Sequence, residues 1–345
     1  MIDTPELLHR IGLRLQWPWA RHRQRRGSRA AVRLVPLAVA ASWPGRPTSE
    51  YRIGPPRATG SAVVIPLEDA KRGTRWVAKF AASEPGRHAL ERSTAALSEL
   101  HRIPALSSWT GHIPEVIGSG DVADHAYVIE TALPGRTPTA AAWQAGEPSV
   151  LGSLVAAISG LHEATARSVD VDDALLAQWV DDRIRALMEH RDSPDRTTGL
   201  ERVRRAVQAA LDGRTMTTGW IHGDYWLGNV LLDDGGRVTG IVDWEGAAPD
   251  ELALHDLIHL VLYTRRTIER VHLGRVIRSA LDAPLQEPED DVLARASELA
   301  GGIDRRTAMT LYWLRWVVAN LRRHPDLGRN RQWQRENVDL VLDAL

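Results

Sequence analysis

The sequence predicts an α+β protein, with a small β-rich N-terminal region that carries one helix and a larger, mainly helical C-terminal region. Three observations support this. Short β-rich runs separated by polar turns fill residues 51–132. From about residue 147, apolar residues recur at helical spacing. One polar stretch, "HGDYWLGN" (222–229), interrupts the helical half and is followed by a hairpin pattern. The expected division is a basic extension, partly strand, over 1–50; a β-rich region over 51–132; and a helical region over 133–345.

Taken in order, the first 35 residues hold eight arginines against Asp3 and Glu6. Such an arm is either simply solvated or suited to weak docking on an acidic partner or an anionic membrane surface. The apolar stretch "AAVRLVPLAVAAS" (30–42) is interrupted by Arg33 and Pro36, is too short to span a bilayer, and is expected as a buried strand. "SAVVIPL" and "TRWVAKF" read as two strands joined by the polar "EDAKRG". In "PGRHALERSTAALSELHRI", Pro85 stands at the start, and Ala89, Leu90, Leu97 and Leu100 repeat at helical spacing. "HIPEVIGSGDVADHAYVIETAL" offers two more strands around a glycine turn. Further on, "SVLGSLVAAISGLHEATA" places Leu151, Leu154, Val155, Ile158 and Leu161 on one helical face. "TAMTLYWLRWVVANLRRH" does the same with Leu311, Leu314, Val317, Val318 and Leu321.

Composition removes several function classes. A formal net charge of -1 over 345 residues argues against a protein built to coat nucleic acid. With no cysteine, the chain has no disulfides, thiol nucleophiles or cysteine-ligated metals, and it suits a reducing, cytoplasmic setting. Arginine dominates the basic residues, with only Lys71 and Lys79 as lysines. Lys79, in the apolar run "RWVAKF", therefore calls for a local reason.

The hairpin "NVLLDDGGRVTGIVDWE" turns at Asp233–Gly236 and brings its two ends together, Asn229 leaving and Asp243 returning, with Asp224 in the loop just before. Two carboxylates and an amide are hard oxygen donors, which suit Mg²⁺ better than zinc. Magnesium completes its octahedron with water and phosphate oxygens, so the expected ligand is a nucleoside triphosphate. Phosphoryl transfer also needs a cation on the phosphates and a carboxylate to take the proton of the attacking hydroxyl. Lys79 supplies the first and Asp224 the second, while Asn229 and Asp243 are left to hold metal.

His222-Gly-Asp224 with Asn229 five residues on, followed by "IVDWE", resembles the aminoglycoside phosphotransferase and choline kinase family, small-molecule relatives of the protein kinases. The resemblance is strongest over residues 218–260. It implies a bilobal protein-kinase-like fold in which ATP, with Mg²⁺, gives its γ-phosphate to a substrate hydroxyl. It further implies that Asp224 is the catalytic base, that Asn229 and Asp243 are metal ligands, and that Lys79 reaches the α- and β-phosphates, where a compact ammonium fits and a planar guanidinium does not. A glutamate of the N-terminal helix should pair with Lys79; Glu91 is the expectation and Glu99 the reserve. "YVIETALPG" resembles the hinge, whose backbone near Glu130, Thr131 and Leu133 would bond adenine. Ahead of Lys79, "GPPRATGSAVV" offers only Gly54, Gly60 and Ser61 for a phosphate-covering turn, in place of a G-x-G-x-x-G loop. His222 is read as an organiser of the catalytic loop, and Asp256 as a brace for that loop or a substrate contact.

For the acceptor, Glu245, Asp250 and Glu251 lie close in sequence to the predicted chemistry. "EPEDD" (287–291) is read as the acidic first turn of a helix, with attraction of a polyamine as its alternative. A hydroxyl of a sugar-containing metabolite or antibiotic ranks first, and a cell-envelope saccharide precursor second. The alternative class is a catalytically silent nucleotide-binding regulator. Trp244-Glu245 after Asp243, and the lack of an Ala-Pro-Glu motif, argue against a protein kinase. The sequence leaves the oligomeric state open.

Overall fold

A computed structural model describes residues 18–43, 50–71, 73, 75–144, 148–190 and 194–345. It divides into two units, Met1–Thr139 with Asn229–Ala247, and Ala140–Gly228 with Ala248–Leu345. The hairpin after residue 228 thus belongs with the β-rich region rather than with the helical half in which the sequence places it.

The first unit is built on a sheet of strands β1 (Tyr51–Ile53), β2 (Arg57–Ala58), β3 (Ala62–Asp69), β4 (Arg75–Ala81), β5 (Val116–Val122) and β6 (His125–Thr131), paired in the order β1-β3-β4-β6-β5 with β2 added to β3. Every pairing is antiparallel. Side chains alternate between faces along each strand, so one face takes Val63, Ile65, Leu67, Trp76, Ala78, Phe80, Tyr127 and Ile129. That face packs against α1 (Pro18–Ser42), through Ala31, Val35, Ala38 and Val39.

Residues 30–42 are therefore helix and not the expected strand. The buried positions recur at i, i+4, i+7 and i+8, and Leu37 is 53% exposed beside fully buried Val35, a pattern that period two cannot produce. Pro36 sits inside the helix, where it removes one backbone hydrogen bond. The arginines up to residue 26, on which docking of the arm depends, lie outside the described side chains.

The opposite face of the sheet carries Ala62, Lys79, Val128 and Glu130. It meets α2 (Glu84–Leu100) through Leu90, which clusters with Ala62 and Val128. Ser83 caps α2, accepting from the Gly86 N–H at 3.3 Å. The β5–β6 turn is Ala123–Asp124, both at positive φ, rather than a glycine turn. In the same unit β9 (Val230–Leu232) and β10 (Val238–Ile241) form the expected antiparallel hairpin.

The second unit is mainly helical: α3 (Pro148–Thr165), α4 (Pro194–Leu211), α5 (Leu254–Glu269), α6 (Leu273–Asp282), α7 (Glu289–Leu299) and α8 (Arg305–Arg323) are its longer helices. Strands β7 (Arg167–Asp170), β8 (Thr215–Ile221) and β11 (Ala248–Leu252) make a small antiparallel sheet ordered β11-β8-β7. The polar stretch that follows β8 leaves this sheet at Ile221. Trp179 and Trp313 are fully buried, as is Trp244 in the first unit, so these tryptophans serve as core. Among the described residues no helix is long and apolar enough to cross a membrane.

Candidate active site

In the first unit, strand parity sets the central polar pair. Lys79 pairs with Val128 and Val77 with Glu130, so Lys79 and Glu130 are diagonal neighbours on one face. Their side chains meet at 2.6 Å, and both residues are buried. Asp243 Oδ1 lies 3.5 Å from the Lys79 ammonium. Burial works against the Lys79 charge, but Glu130 and Asp243 outweigh it and raise the pKa above that of an ordinary lysine.

Glu91 does not pair with Lys79. The buried face of α2 is Gly86, Ala89, Leu90, Ser93, Ala96, Leu97 and Leu100, which includes no acid. Glu91 falls about 100° round the helix from Leu90, is exposed and bonds His88 at 3.1 Å. Glu99 is exposed too. The carboxylate comes instead from β6, as Glu130.

The hairpin juxtaposes the two expected metal ligands: Asn229 ends the turn before β9, and its carbonyl accepts from the Val242 N–H at 2.9 Å. Asp243 follows directly after Val242 in the left-handed region, φ 66°, which aspartate tolerates better than most residues. Among the described residues no cluster of three or more histidines or acids could form an all-protein metal cage. Two hard-oxygen donors instead fit Mg²⁺, which takes few protein ligands and completes its shell with phosphate and water.

Gly60 and Ser61 lie in a tight turn in which the Thr59 N–H donates to the Ala62 carbonyl at 2.7 Å. Ser61 Oγ donates to Glu245 at 3.5 Å, so Glu245 belongs with this turn. Along the expected hinge the Thr131 N–H is already spent on the Glu115 carbonyl, and that of Ala132 on Arg75. Leu133 follows these, while the Glu130 side chain is committed to Lys79.

In the second unit, the Asp224 loop is held by α5. Asp256 is fully buried; its Oδ2 accepts from the His222 N–H and its Oδ1 from the Gly223 N–H, each at 2.8 Å, and His162 Nε2 lies 3.1 Å from Oδ2. Burial raises Asp256, but His162, His222 and the backbone donors outweigh it and bring the pKa down to about 2. Both Asp256 oxygens are thus spent on the loop backbone and His162, with none of the residue exposed. Gly223 has φ 77°, which only glycine adopts without strain. His222 is buried beneath the loop, with Nδ1 3.3 Å from the Asp224 N–H.

One turn after Asp256, His259 reaches the Asp224 side chain. Its Nε2 is 3.0 Å from Asp224 Oδ1 and its Nδ1 is 2.9 Å from the Tyr312 hydroxyl, while Tyr263 stacks on the ring at 4.5 Å. The network is self-consistent if Tyr312 donates to Nδ1 and Nε2–H donates to Asp224. Burial pushes Asp224 up; His259, Arg323 and His222 overcome this and hold it below the usual carboxylate value. Asp224 is thus an ionised carboxylate at neutral pH and able to accept a proton.

Sequence reading missed His259, although its position three residues after Asp256 puts both on one face of α5. The remaining acidic candidates are engaged elsewhere. Asp250 pairs with Arg167 and Glu251 with Arg183. Glu289, Asp290 and Asp291 form the first turn of α7. Glu289 also binds Trp143 and Arg265 beside a cavity of about 400 Å³, and Asp290 binds Arg305, so these two carboxylates are already engaged within the protein.

Residues 61–286 match the model of the phosphotransferase enzyme family. No curated protein matches the chain. Among solved structures, a thermostable mutant of the aminoglycoside phosphotransferase APH(4)-Ia, in ternary complex with AMP-PNP and hygromycin B, aligns with a TM-score of 0.55 at 16% identity, covering 90% of this chain and 98% of that one. An ethanolamine kinase from Plasmodium vivax gives 0.48 at 11% identity, covering 86% and 82%. A glucosamine kinase gives 0.40 at 15%, covering 89% and 96%. The first of these likenesses carries the protein-kinase-like fold. With two thirds of its length matched by the family model, this chain belongs to the phosphotransferase enzyme family and is a small-molecule phosphotransferase.

Proposed function

We propose that the protein transfers the γ-phosphate of ATP, with Mg²⁺, to a hydroxyl of a polar small molecule, and that a sugar-containing acceptor ranks first. The observation that supports this most is the Asp224 carboxylate, held ionised by His259 on a loop braced by Asp256. In this reading Asp224 accepts the hydroxyl proton as the acceptor oxygen attacks phosphorus and ADP leaves. His259 positions the carboxylate through one oxygen, while His222 and Asp256 fix the loop backbone.

Lys79 would bind the nucleotide phosphates, kept charged and in place by Glu130. Asn229 and Asp243 would hold the metal, which when bound neutralises charge on the transferring phosphate. Gly60 and Ser61 would cover the phosphates, and the backbone near Leu133 would meet the base. The cysteine-free composition and the demand for ATP support a cytoplasmic setting. Joint retention of Lys79, Asp224, Asn229 and Asp243 favours turnover over a silent regulator.

Asp224→Ala should abolish acceptor-dependent ADP release and leave AMP-PNP binding intact by calorimetry. Full turnover in that variant would refute the mechanism.

A further inference from the structure

The β9–β10 hairpin is irregular at one position. Val238 faces Leu232 and Gly240 faces Leu231, so Thr239 stands opposite no residue of β9 and forms a bulge, a device that re-aims a side chain. Its hydroxyl donates to the Pro134 carbonyl at 2.6 Å, a bond from the hairpin to the segment that follows β6. The Leu231 carbonyl, at 3.3 Å, is the weaker alternative acceptor.

On either side of that bond the same segment is fastened to the hairpin. Arg136 and Leu232 exchange two backbone hydrogen bonds, each 2.9 Å. Gly135 has φ 103°, and a Cβ there would press on the Thr239 hydroxyl and lie 2.7 Å from the Leu232 carbonyl. Gly240 makes an equally close approach, since its Cβ would lie 2.8 Å from that of Leu133. The N–H groups of Thr131 and Ala132 are spent on Glu115 and Arg75, which leaves Leu133 with the first N–H of the segment that meets no acceptor among the described residues.

We infer that Thr239 is a positioning residue for the nucleotide: by holding the Pro134 carbonyl it fixes the Leu133 backbone, which meets the base, on the hairpin whose ends carry Asn229 and Asp243. This rests on ATP being the phosphate donor. A backbone fixed before binding spares the nucleotide the cost of ordering it, so the bulge acts on affinity for the base and not on the phosphoryl step.

The test titrates the full-length protein by calorimetry with AMP-PNP, adenosine and pyrophosphate, each in the presence of Mg²⁺. Thr239→Val keeps the side-chain shape and removes the donor, while Thr239→Ser keeps the donor. Thr239→Val should weaken adenosine and AMP-PNP about threefold to tenfold, the range of one neutral hydrogen bond. It should leave pyrophosphate unmoved, because Lys79 is held by Glu130 and the Asn229 carbonyl by the Val242 N–H. Thr239→Ser should bind all three as wild type does. Gly240→Ala should reproduce the loss on adenosine by displacing Leu133 instead of releasing Pro134. In steady state, KM for ATP should rise in Thr239→Val with kcat unchanged. Adenosine binding that is unmoved in Thr239→Val would overturn the inference, as would an equal loss on pyrophosphate, the mark of a site loosened as a whole. So would a Thr239→Ser variant as weak as Thr239→Val. Wild type that binds neither AMP-PNP nor adenosine would remove the ATP reading and the inference together, whereas each of the preceding failures leaves AMP-PNP binding in place and touches Thr239 alone.

Discussion

The ion pair between Lys79 and Glu130 allows a sharp perturbation. Both residues are buried, the contact is 2.6 Å, and the other carboxylate near Lys79, Asp243, is 3.5 Å away with a half-exposed side chain. Glu130→Gln keeps the shape and removes the charge, leaving a buried ammonium with one distant, solvated counter-ion. Breaking a buried pair from one side costs about 3–5 kcal/mol, whereas replacing both partners with apolar residues of similar volume is often near neutral. Glu130→Gln and Lys79→Met should therefore each lower the urea midpoint markedly, and Lys79→Met with Glu130→Met should recover most of the loss. The double-mutant cycle isolates the coupling. KM for ATP, read by ADP release, should rise in Glu130→Gln as Lys79 loses its positioning partner. Glu91→Ala, on the exposed side of α2, should change stability by no more than about 0.5 kcal/mol and leave ATP kinetics alone. If Glu91→Ala impaired ATP use while Glu130→Gln did not, the pairing deduced from strand parity would be wrong.

Three further outcomes follow from the same geometry. His259→Ala removes the hydrogen bond that helps depress Asp224, so kcat should fall about tenfold and the acid limb of the kcat/KM profile should move to higher pH; an unmoved limb would detach His259 from the base. His255 is depressed to about 4 and Asp256 to about 2, so both native states bind fewer protons than the unfolded chain over their windows. Stability should then fall as pH drops, from about 6.5 to 4 through His255 and from about 4 to 2 through Asp256. Urea midpoints against pH should reveal a combined loss on the order of 5 kcal/mol. Val35→Ala, at a fully buried position of α1, should cost about 1–3 kcal/mol, while Leu37→Ala should stay within about 0.5 kcal/mol; equal costs would favour a strand.

How much of this was legible in the sequence depended on the range of the forces involved. The hairpin that joins Asn229 and Asp243 is local turn chemistry and was readable from "DDGG", and the start of α2 was readable from Pro85. Residues 30–42 misled because the valines favour a strand and Pro36 disfavours a helix interior residue by residue, whereas packing of Ala31, Val35, Ala38 and Val39 under the sheet selects a helix. Glu130 was visible as a hinge residue, but its role depends on which strand lies beside β4, a pairing that spans 51 positions. The α5 spacing of Asp256 and His259 was present in the sequence. Only the fold reveals that one holds the loop backbone and the other the base.

The central claim is that Asp224 accepts a proton from a hydroxyl that takes the γ-phosphate of ATP. Its most direct test follows labelled γ-phosphate from ATP and Mg²⁺ onto a panel of hydroxylated acids, sugar phosphates, neutral sugars and aminoglycosides, with wild type and Asp224→Asn side by side. Transfer by wild type, lowered about 10²–10⁴-fold in Asp224→Asn with the fold and AMP-PNP binding retained, is the predicted result. Label transfer that proceeds equally in both proteins, or ATP binding with no label reaching any acceptor class, would contradict it.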